Sequence, residues 1–157
     1  MSDIKTIWIT GSKGFIGGEL VRRLQSLGTY RVVGTDTELS VTDAERLQAF
    51  ALELKPDIII NSAGISRGAT GISNRIKAYE TNALGAMNVA IAANTVGAYM
   101  VQISTDDVYP QRMAEPANEF DTPHPETPYG KSKRAGEVMV RDAAPDNSLI
   151  VRSSWVY

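Results

Sequence analysis

Short apolar runs alternate with segments of helical periodicity along the chain. The apolar runs predict strands at 5–10, 30–36, 58–61, 99–104 and 149–152. The segments between them predict helices at 15–27, 42–55, 75–96 and 128–143, the second opened by a Thr42–Glu45 capping box and the last by Thr127. Because the strands are continuous apolar runs, both of their faces should be buried. The pattern therefore predicts an α/β protein with a doubly wound parallel sheet and helices on both faces.

Three stretches need a separate interpretation. Residues 64–74 are rich in Gly and Ser and predict a loop, and residues 106–127 predict a long irregular loop. Loops of that length in a compact domain are often functional. Residues 81–105 carry no charge, but Asn and Gly residues interrupt them. We expect a buried helix and a buried strand there rather than a membrane span.

Composition narrows the function. A chain of 157 residues has the length of one domain. The absence of cysteine excludes disulfides and thiolate sites, and a single histidine argues against a metal site, so none is expected. A net charge of −2 gives no electrostatic signal for nucleic acid or an anionic membrane. The first ten residues lack a secretory pattern, and we expect a cytoplasmic protein.

The turn after the first predicted strand has the composition of a phosphate-binding turn. Its glycines are spaced as G-x-x-G-x-x-G, and it contains Gly11, Lys13, Gly14, Phe15, Ile16 and Gly17. Such a turn lets backbone N–H groups approach a pyrophosphate at a helix N-terminus. Asp36 follows the second strand, and an acid about 20 residues after the glycines accepts hydrogen bonds from an adenosine ribose. The combination predicts dinucleotide binding.

Two residues act in opposite directions on the choice of cofactor. Asp36 favours the free ribose diol of NADH and repels a 2′-phosphate. Lys13 lies inside the glycine turn, where its ammonium could reach that phosphate. We therefore expect either NADPH or NADH to be accepted, with a slight preference for NADPH.

A second group of residues has the chemistry of proton transfer. Tyr129 and Lys133 are four residues apart on a predicted helix, so they share one face. A nearby ammonium stabilises a phenolate and makes the phenol a better proton donor near neutral pH. Thr105 lies at the carboxyl end of the preceding strand, where its hydroxyl could bond a substrate carbonyl.

Taken together, these motifs resemble the extended short-chain dehydrogenase/reductase superfamily. The matching motifs are the glycine turn, Asn-Ser-Ala-Gly at 61–64, Ser-Thr-Asp at 104–106 and Tyr129-x-x-x-Lys133. Further stretches resemble the dTDP-4-dehydrorhamnose reductases. They are Ser-Val-Thr-Asp at 40–43, the segment 55–61, Thr-Asp-x-Val-Tyr at 105–109 and Arg-Ser-Ser-Trp-Val-Tyr at 152–157.

The resemblance implies a Rossmann-type fold and hydride transfer from a reduced nicotinamide to the 4-keto group of a dTDP-deoxysugar. Tyr129 would protonate the new alkoxide, Lys133 would hold the nicotinamide ribose, and Thr105 would orient the carbonyl. The implied substrate residues are Asp106, Asp107 and Trp155, and the further cofactor residues are Ser40, Val41, Ala63, Gly64 and Asn82. The implied partner is a nucleotide sugar, and a homodimer is left open.

Three departures from the reductase pattern keep alternatives open. Ser40 stands where the family usually has an aspartate. Asp107 replaces the usual tyrosine, which partly resembles the nucleotide-sugar 4,6-dehydratases. Relatives continue for roughly as many residues again, so residues 1–157 are expected to be an NAD(P)-binding domain that stops before a substrate-binding lobe and is inactive alone. The alternatives are a dehydratase or epimerase, and a non-catalytic dinucleotide-binding regulatory subunit.

Overall fold

The computed structural model describes residues 4–66, 74–112, 115–154 and 156. In these parts of the chain, the strands are β1 (Thr6–Thr10), β2 (Arg31–Thr35), β3 (Ile58–Asn61), β4 (Tyr99–Thr105) and β5 (Ser148–Ser153). They form a parallel sheet in the order β2-β1-β3-β4-β5. This confirms the doubly wound sheet. The strand order changes direction between β1 and β3, the point at which such sheets bind ligands.

The helices lie close to their predicted positions. They are α1 (Phe15–Ser26), α2 (Ala44–Leu54), α3 (Arg75–Tyr79), α4 (Ala86–Val96) and α5 (Pro128–Ala143). A π-helical segment, Glu80–Gly85, joins α3 to α4, so the single helix predicted over 75–96 is locally widened. The predicted capping box is wrong. Asp43 caps α2 by accepting the Arg46 N–H at 3.1 Å, because the Thr42 hydroxyl is engaged with that of Ser40.

The two faces of the sheet are covered by different helices. Right-handed crossovers place α1 on one face and α2, α4 and α5 on the other. Accordingly, α1 packs on β1 and β2, whereas α4 contacts both α2 and α5. On the second face, Trp8, Ile59 and Met100 are neighbours across three strands and are fully buried. Alanines on α4 let that helix approach these side chains closely.

Burial on both faces, as predicted from the apolar runs, is found at β1 but not at β5. All five residues of β1 are buried. In β5 the side chains alternate, and Leu149 and Val151 are exposed. The reason is the position of α1, which packs on β1 and β2 near the β2 edge of the sheet. It therefore does not cover β5, which lies at the other edge.

In its described residues, the loop after β4 is irregular as predicted, apart from a 3₁₀ turn at Asp106–Val108. Most of the loop predicted at 64–74 lies outside the described residues. Within the ranges that the structure describes, no helix is long and apolar enough to cross a membrane.

Candidate active site

A cleft of about 520 Å³ opens at the carboxyl ends of the strands. Its walls come from the turn after β1, the segment after β3, the end of β4 with the turn that follows, the start of α5, and residues 153, 154 and 156 at and after the end of β5. The predicted site residues that line it are Gly14, Phe15, Ile16, Gly17, Gly64, Thr105, Asp106, Asp107, Tyr129 and Lys133. The fold therefore brings the glycine turn and the Tyr129–Lys133 pair to one cavity.

Other predicted site residues do not line this cleft. They are Gly11, Lys13, Asp36, Ser40, Val41, Ala63 and Asn82. The Val41 side chain is buried in the core, where it packs beside Gly85, and does not face the cleft. Trp155 lies outside the described residues. Asn61, the first residue of the Asn-Ser-Ala-Gly motif, accepts a hydrogen bond from Thr10 and donates one to Gln102 between the strands.

The glycines of the turn have different structural roles. Gly11 has a φ of 66°, and a Cβ there would lie 2.6 Å from the Ala63 nitrogen. A Cβ on Gly17 would collide with the Gly11 carbonyl and lie 2.6 Å from the Ser62 Oγ. These two glycines are therefore required by packing. Gly14 is exposed at the cleft, and its Cβ would meet only the Gly11 carbonyl at 3.2 Å, so a side chain there would enter the space left for a ligand.

This turn fits the diphosphate of a dinucleotide. Gly14 is the N-cap residue of α1 and has no side chain to cap the first N–H groups of the helix. The first N–H groups of a helix have no partner within the helix, and they carry partial positive charge. Because Gly14 keeps the adjoining space open, an anionic group can approach these N–H groups.

The turn after β2 carries the predicted ribose acceptor. Asp36 accepts the Lys13 backbone N–H at 2.8 Å through one oxygen and the Thr37 N–H at 2.9 Å through the other. The Lys13 ammonium forms an ion pair with Glu38 at 3.1 Å. Sequence reasoning missed Glu38, although its position two residues after Asp36 was a usable signal.

The end of the cleft that holds the predicted proton-transfer residues is built from β4 and α5. Thr105 ends β4, and its hydroxyl accepts the Asp107 N–H at 3.2 Å. Thr127 caps α5 by accepting the Gly130 N–H at 2.9 Å, which places Tyr129 and Lys133 one turn apart on the helix. The turn that carries Asp107 packs directly against α5 at Gly130, where an added Cβ would collide with the Asp107 carbonyl.

The pKa of Tyr129 is raised above its usual value. Burial is the largest cause, the negative charge of Asp107 is the next, and a hydrogen bond with Thr105 acts in the opposite direction. The sequence suggested that Lys133 would lower this pKa. Instead, the Lys133 ammonium donates to the Ile103 carbonyl at 2.6 Å, and burial lowers its own pKa to about 8.

Asn82 supports the cleft from behind. It lies in the π-helical segment, accepts the Ile65 N–H at 2.8 Å, and donates to the Ile65 carbonyl and the Ser132 hydroxyl at 3.1 and 3.0 Å. Helix α5 packs tightly here, because a Cβ on Gly136 would collide with the Asn82 carbonyl. The π-helical turn, a feature common at functional sites, therefore ties the segment after β3 to α5.

A buried ion network that sequence reasoning missed lies behind Lys133. Glu137 is fully buried and accepts hydrogen bonds from Ser104 at 2.6 Å, Arg134 at 2.9 Å and Arg152 at 2.7 and 2.9 Å. Arg152 also donates to the Tyr109 hydroxyl. Burial alone would raise the pKa of Glu137, but the bonds from Arg152, Ser104 and Arg134 hold it below its usual value. Its position four residues after Lys133 was the available signal, since both lie on one helix face.

Fold and cleft define a Rossmann-like α/β domain in which a Tyr-x-x-x-Lys motif lines the same cleft as the glycine turn. The model of the RmlD substrate binding domain family matches residues 5–157, and the chain belongs to this family.

Named relatives and a solved structure agree with this assignment. The chain is 36% identical over 151 residues to the spore coat polysaccharide biosynthesis protein SpsK of Bacillus subtilis (strain 168), covering 96% of this chain and 53% of that protein. It is 33% identical over 149 residues to a dTDP-4-dehydrorhamnose reductase of Streptomyces griseus, covering 95% and 49%. The dTDP-4-dehydrorhamnose reductase of Bacillus anthracis str. Ames, solved with NADP, superposes with a TM-score of 0.94 at 36% identity, covering 100% of this chain and 56% of that one. The resemblance is thus confirmed, and the chain spans about half the length of these relatives.

Proposed function

We propose that this chain is the NAD(P)-binding half of an enzyme that reduces the 4-keto group of a dTDP-deoxysugar with NADPH or NADH. The observation that carries the proposal is the convergence of Thr105, Tyr129 and Lys133 on the same cleft as the glycine turn. The names of the relatives and the NADP in the Bacillus anthracis reductase support it. In this proposal residues 1–157 form a cofactor domain of a cytoplasmic enzyme, and a second lobe completes the sugar pocket.

Each side chain has a distinct role in this reaction. The bound nicotinamide supplies the hydride. Thr105 donates a hydrogen bond to the carbonyl oxygen and orients it, and Tyr129 gives that oxygen its proton. Tyr129 is protonated at neutral pH and so holds the proton that it gives, although burial and the charge of Asp107 raise its pKa and make it a weaker acid than a free tyrosine. With a pKa of about 8, Lys133 is mostly charged at pH 7, and it has donors for a ribose hydroxyl besides the Ile103 carbonyl.

The test is Tyr129→Phe in the full-length protein, with Tyr30→Phe as the matched control because Tyr30 is outside the cleft lining. Reduction of a 4-keto sugar nucleotide should fall about 100- to 10,000-fold in the first variant, the usual loss for a positioned proton donor. The dissociation constant for the reduced cofactor should stay within about threefold of the wild-type value, since Lys133, which is proposed to hold the ribose, is unchanged. Near-normal reduction by Tyr129→Phe would contradict the proposal.

Asp107 favours a second candidate, a nucleotide-sugar dehydratase or epimerase. Asp107 lines the cleft, and its charge acts on Tyr129, which is the position that acid–base chemistry on a bound sugar requires. Product analysis of Asp107→Asn separates the two. A reductase should lose little activity, whereas a dehydratase should lose about as much as it does with Tyr129→Phe.

A further inference from the structure

The turn after β2 carries a second carboxylate besides the predicted ribose acceptor. Asp36 and Glu38 are two residues apart on this turn, and Lys13 approaches both of them from the glycine turn. The Lys13 backbone N–H bonds Asp36, while its ammonium pairs with Glu38. The adenosine ribose subsite expected at Asp36 is therefore bordered by an ion pair.

Glu38 is held in place by several contacts. One carboxylate oxygen accepts the Asp36 N–H at 2.7 Å, and the other accepts the Lys13 ammonium at 3.1 Å. Its residue lies in the 3₁₀ turn Thr37–Leu39, which the buried Leu39 side chain anchors to the core. Arg46 donates to the Glu38 carbonyl at 2.9 Å. Glu38 is therefore positioned to keep Lys13 engaged.

The remaining charges do not favour a phosphate here. The Arg46 guanidinium is directed to the Glu38 carbonyl and lies 4.0 Å from the Asp43 carboxylate. Together, Asp36, Glu38 and Asp43 carry one more charge than Lys13 and Arg46. A 2′-phosphate would add further negative charge, whereas a free ribose diol can donate hydrogen bonds to a carboxylate.

We infer that Glu38 is a specificity-determining residue that engages Lys13 and so makes the ribose subsite favour NADH over NADPH. This inference rests on the proposed dinucleotide binding. It reverses the slight preference for NADPH expected from weighing Lys13 against Asp36, because the sequence did not reveal the partner of the Lys13 ammonium.

Four proteins test the inference: the full-length wild type, Glu38→Gln, Lys13→Met and the double variant. The dissociation constants of NADH and NADPH are measured by titration calorimetry, which needs no turnover. Glu53→Gln is the matched control, since it removes the same charge from an exposed glutamate in the last turn of α2.

Wild type should bind NADH more tightly than NADPH. Glu38→Gln should strengthen NADPH binding about three- to tenfold, the size of one screened charge contact, with NADH within about twofold. In the Lys13→Met background the same change should give a smaller gain, since the ammonium that it releases is missing. An unchanged ratio in Glu38→Gln, a gain equal to that of Glu53→Gln, or wild-type preference for NADPH would overturn the inference. Absence of binding by either cofactor would instead contradict the proposed function.

Discussion

The glycine turn and the start of α5 both line the cleft, but they are held by different interactions. In the turn, Gly11 and Gly17 allow backbone segments to touch where no Cβ fits. In α5, the buried carboxylate of Glu137 accepts hydrogen bonds from side chains of β4 and β5. The turn therefore depends on the absence of side chains, and the α5 end depends on buried charge.

This difference matters for the chemistry proposed at each side. A turn of backbone N–H groups presents the same partial charge at any ordinary pH, which suits a diphosphate. The α5 end holds Tyr129 and Lys133 among groups whose pKa values are shifted by burial and by neighbouring charge. It is the side at which protons can move, and the side that is sensitive to pH.

The largest expected effect is at the buried network. Glu137→Gln should lower the free energy of unfolding by roughly 3 to 5 kcal/mol, because it leaves the Arg152 guanidinium without its buried counter-charge. Urea unfolding at pH 7 measures this. Glu19→Gln is the control, because Glu19 also accepts hydrogen bonds from two arginines but is exposed. The decrease in its free energy of unfolding should be close to the experimental error.

The contribution of Glu137 to the free energy of unfolding should also depend on pH. The native pKa of Glu137 is below its unfolded value of about 4.5, so its contribution is complete above pH 4.5 and is lost as the pH falls through the native pKa. The unfolding free energies of wild type and Glu137→Gln should therefore converge below pH 4.5. A gap that stays constant down to pH 3 would show that the charge of Glu137 is not responsible.

The next effect tests the packing of the glycine turn. Gly17→Ala should cost roughly 1 to 3 kcal/mol, since its methyl group would overlap the Gly11 carbonyl, which is backbone. Gly18→Ala is the matched control, because its Cβ would meet only the Ser12 carbonyl at 3.4 Å. That change should be neutral or stabilising by up to about 1 kcal/mol, as expected for Gly to Ala within a helix. Equal losses in the two variants would contradict the steric account.

The smallest effect concerns how the two helices begin. Helix α1 has no side-chain cap at Gly14, whereas Thr127 caps α5. Thr127→Ala should lower stability by about 1 kcal/mol, and Thr127→Ser should keep most of it, because only the hydroxyl accepts the Gly130 N–H. Thermal unfolding compares them. If the serine variant loses as much as the alanine variant, the methyl group rather than the cap is responsible.

Much of the fold could be predicted because its signals are local. Apolar runs and helical periodicity located the described strands and α-helices to within a few residues, although α3 and α4 were predicted as one helix. Thr127 followed by Pro128 marked the start of α5. The cap of α2 was misplaced by one residue, since Thr42 and Asp43 are both good caps and only the hydroxyl pairing with Ser40 distinguishes them. The exposure of Leu149 and Val151 on β5 was not predicted, because an apolar run does not reveal whether a helix covers both faces of the strand.

The candidate site divides in the same way. The glycine turn could be recognised from the chain alone, because lacking a Cβ is a property of the residue and its spacing follows from the geometry of a strand-to-helix turn. The pairings of Glu137 with Arg152, of Lys13 with Glu38, and of Lys133 with the Ile103 carbonyl could not. A charged side chain finds its partner, and its pKa, only when strand order and helix packing bring distant segments together and remove water from between them.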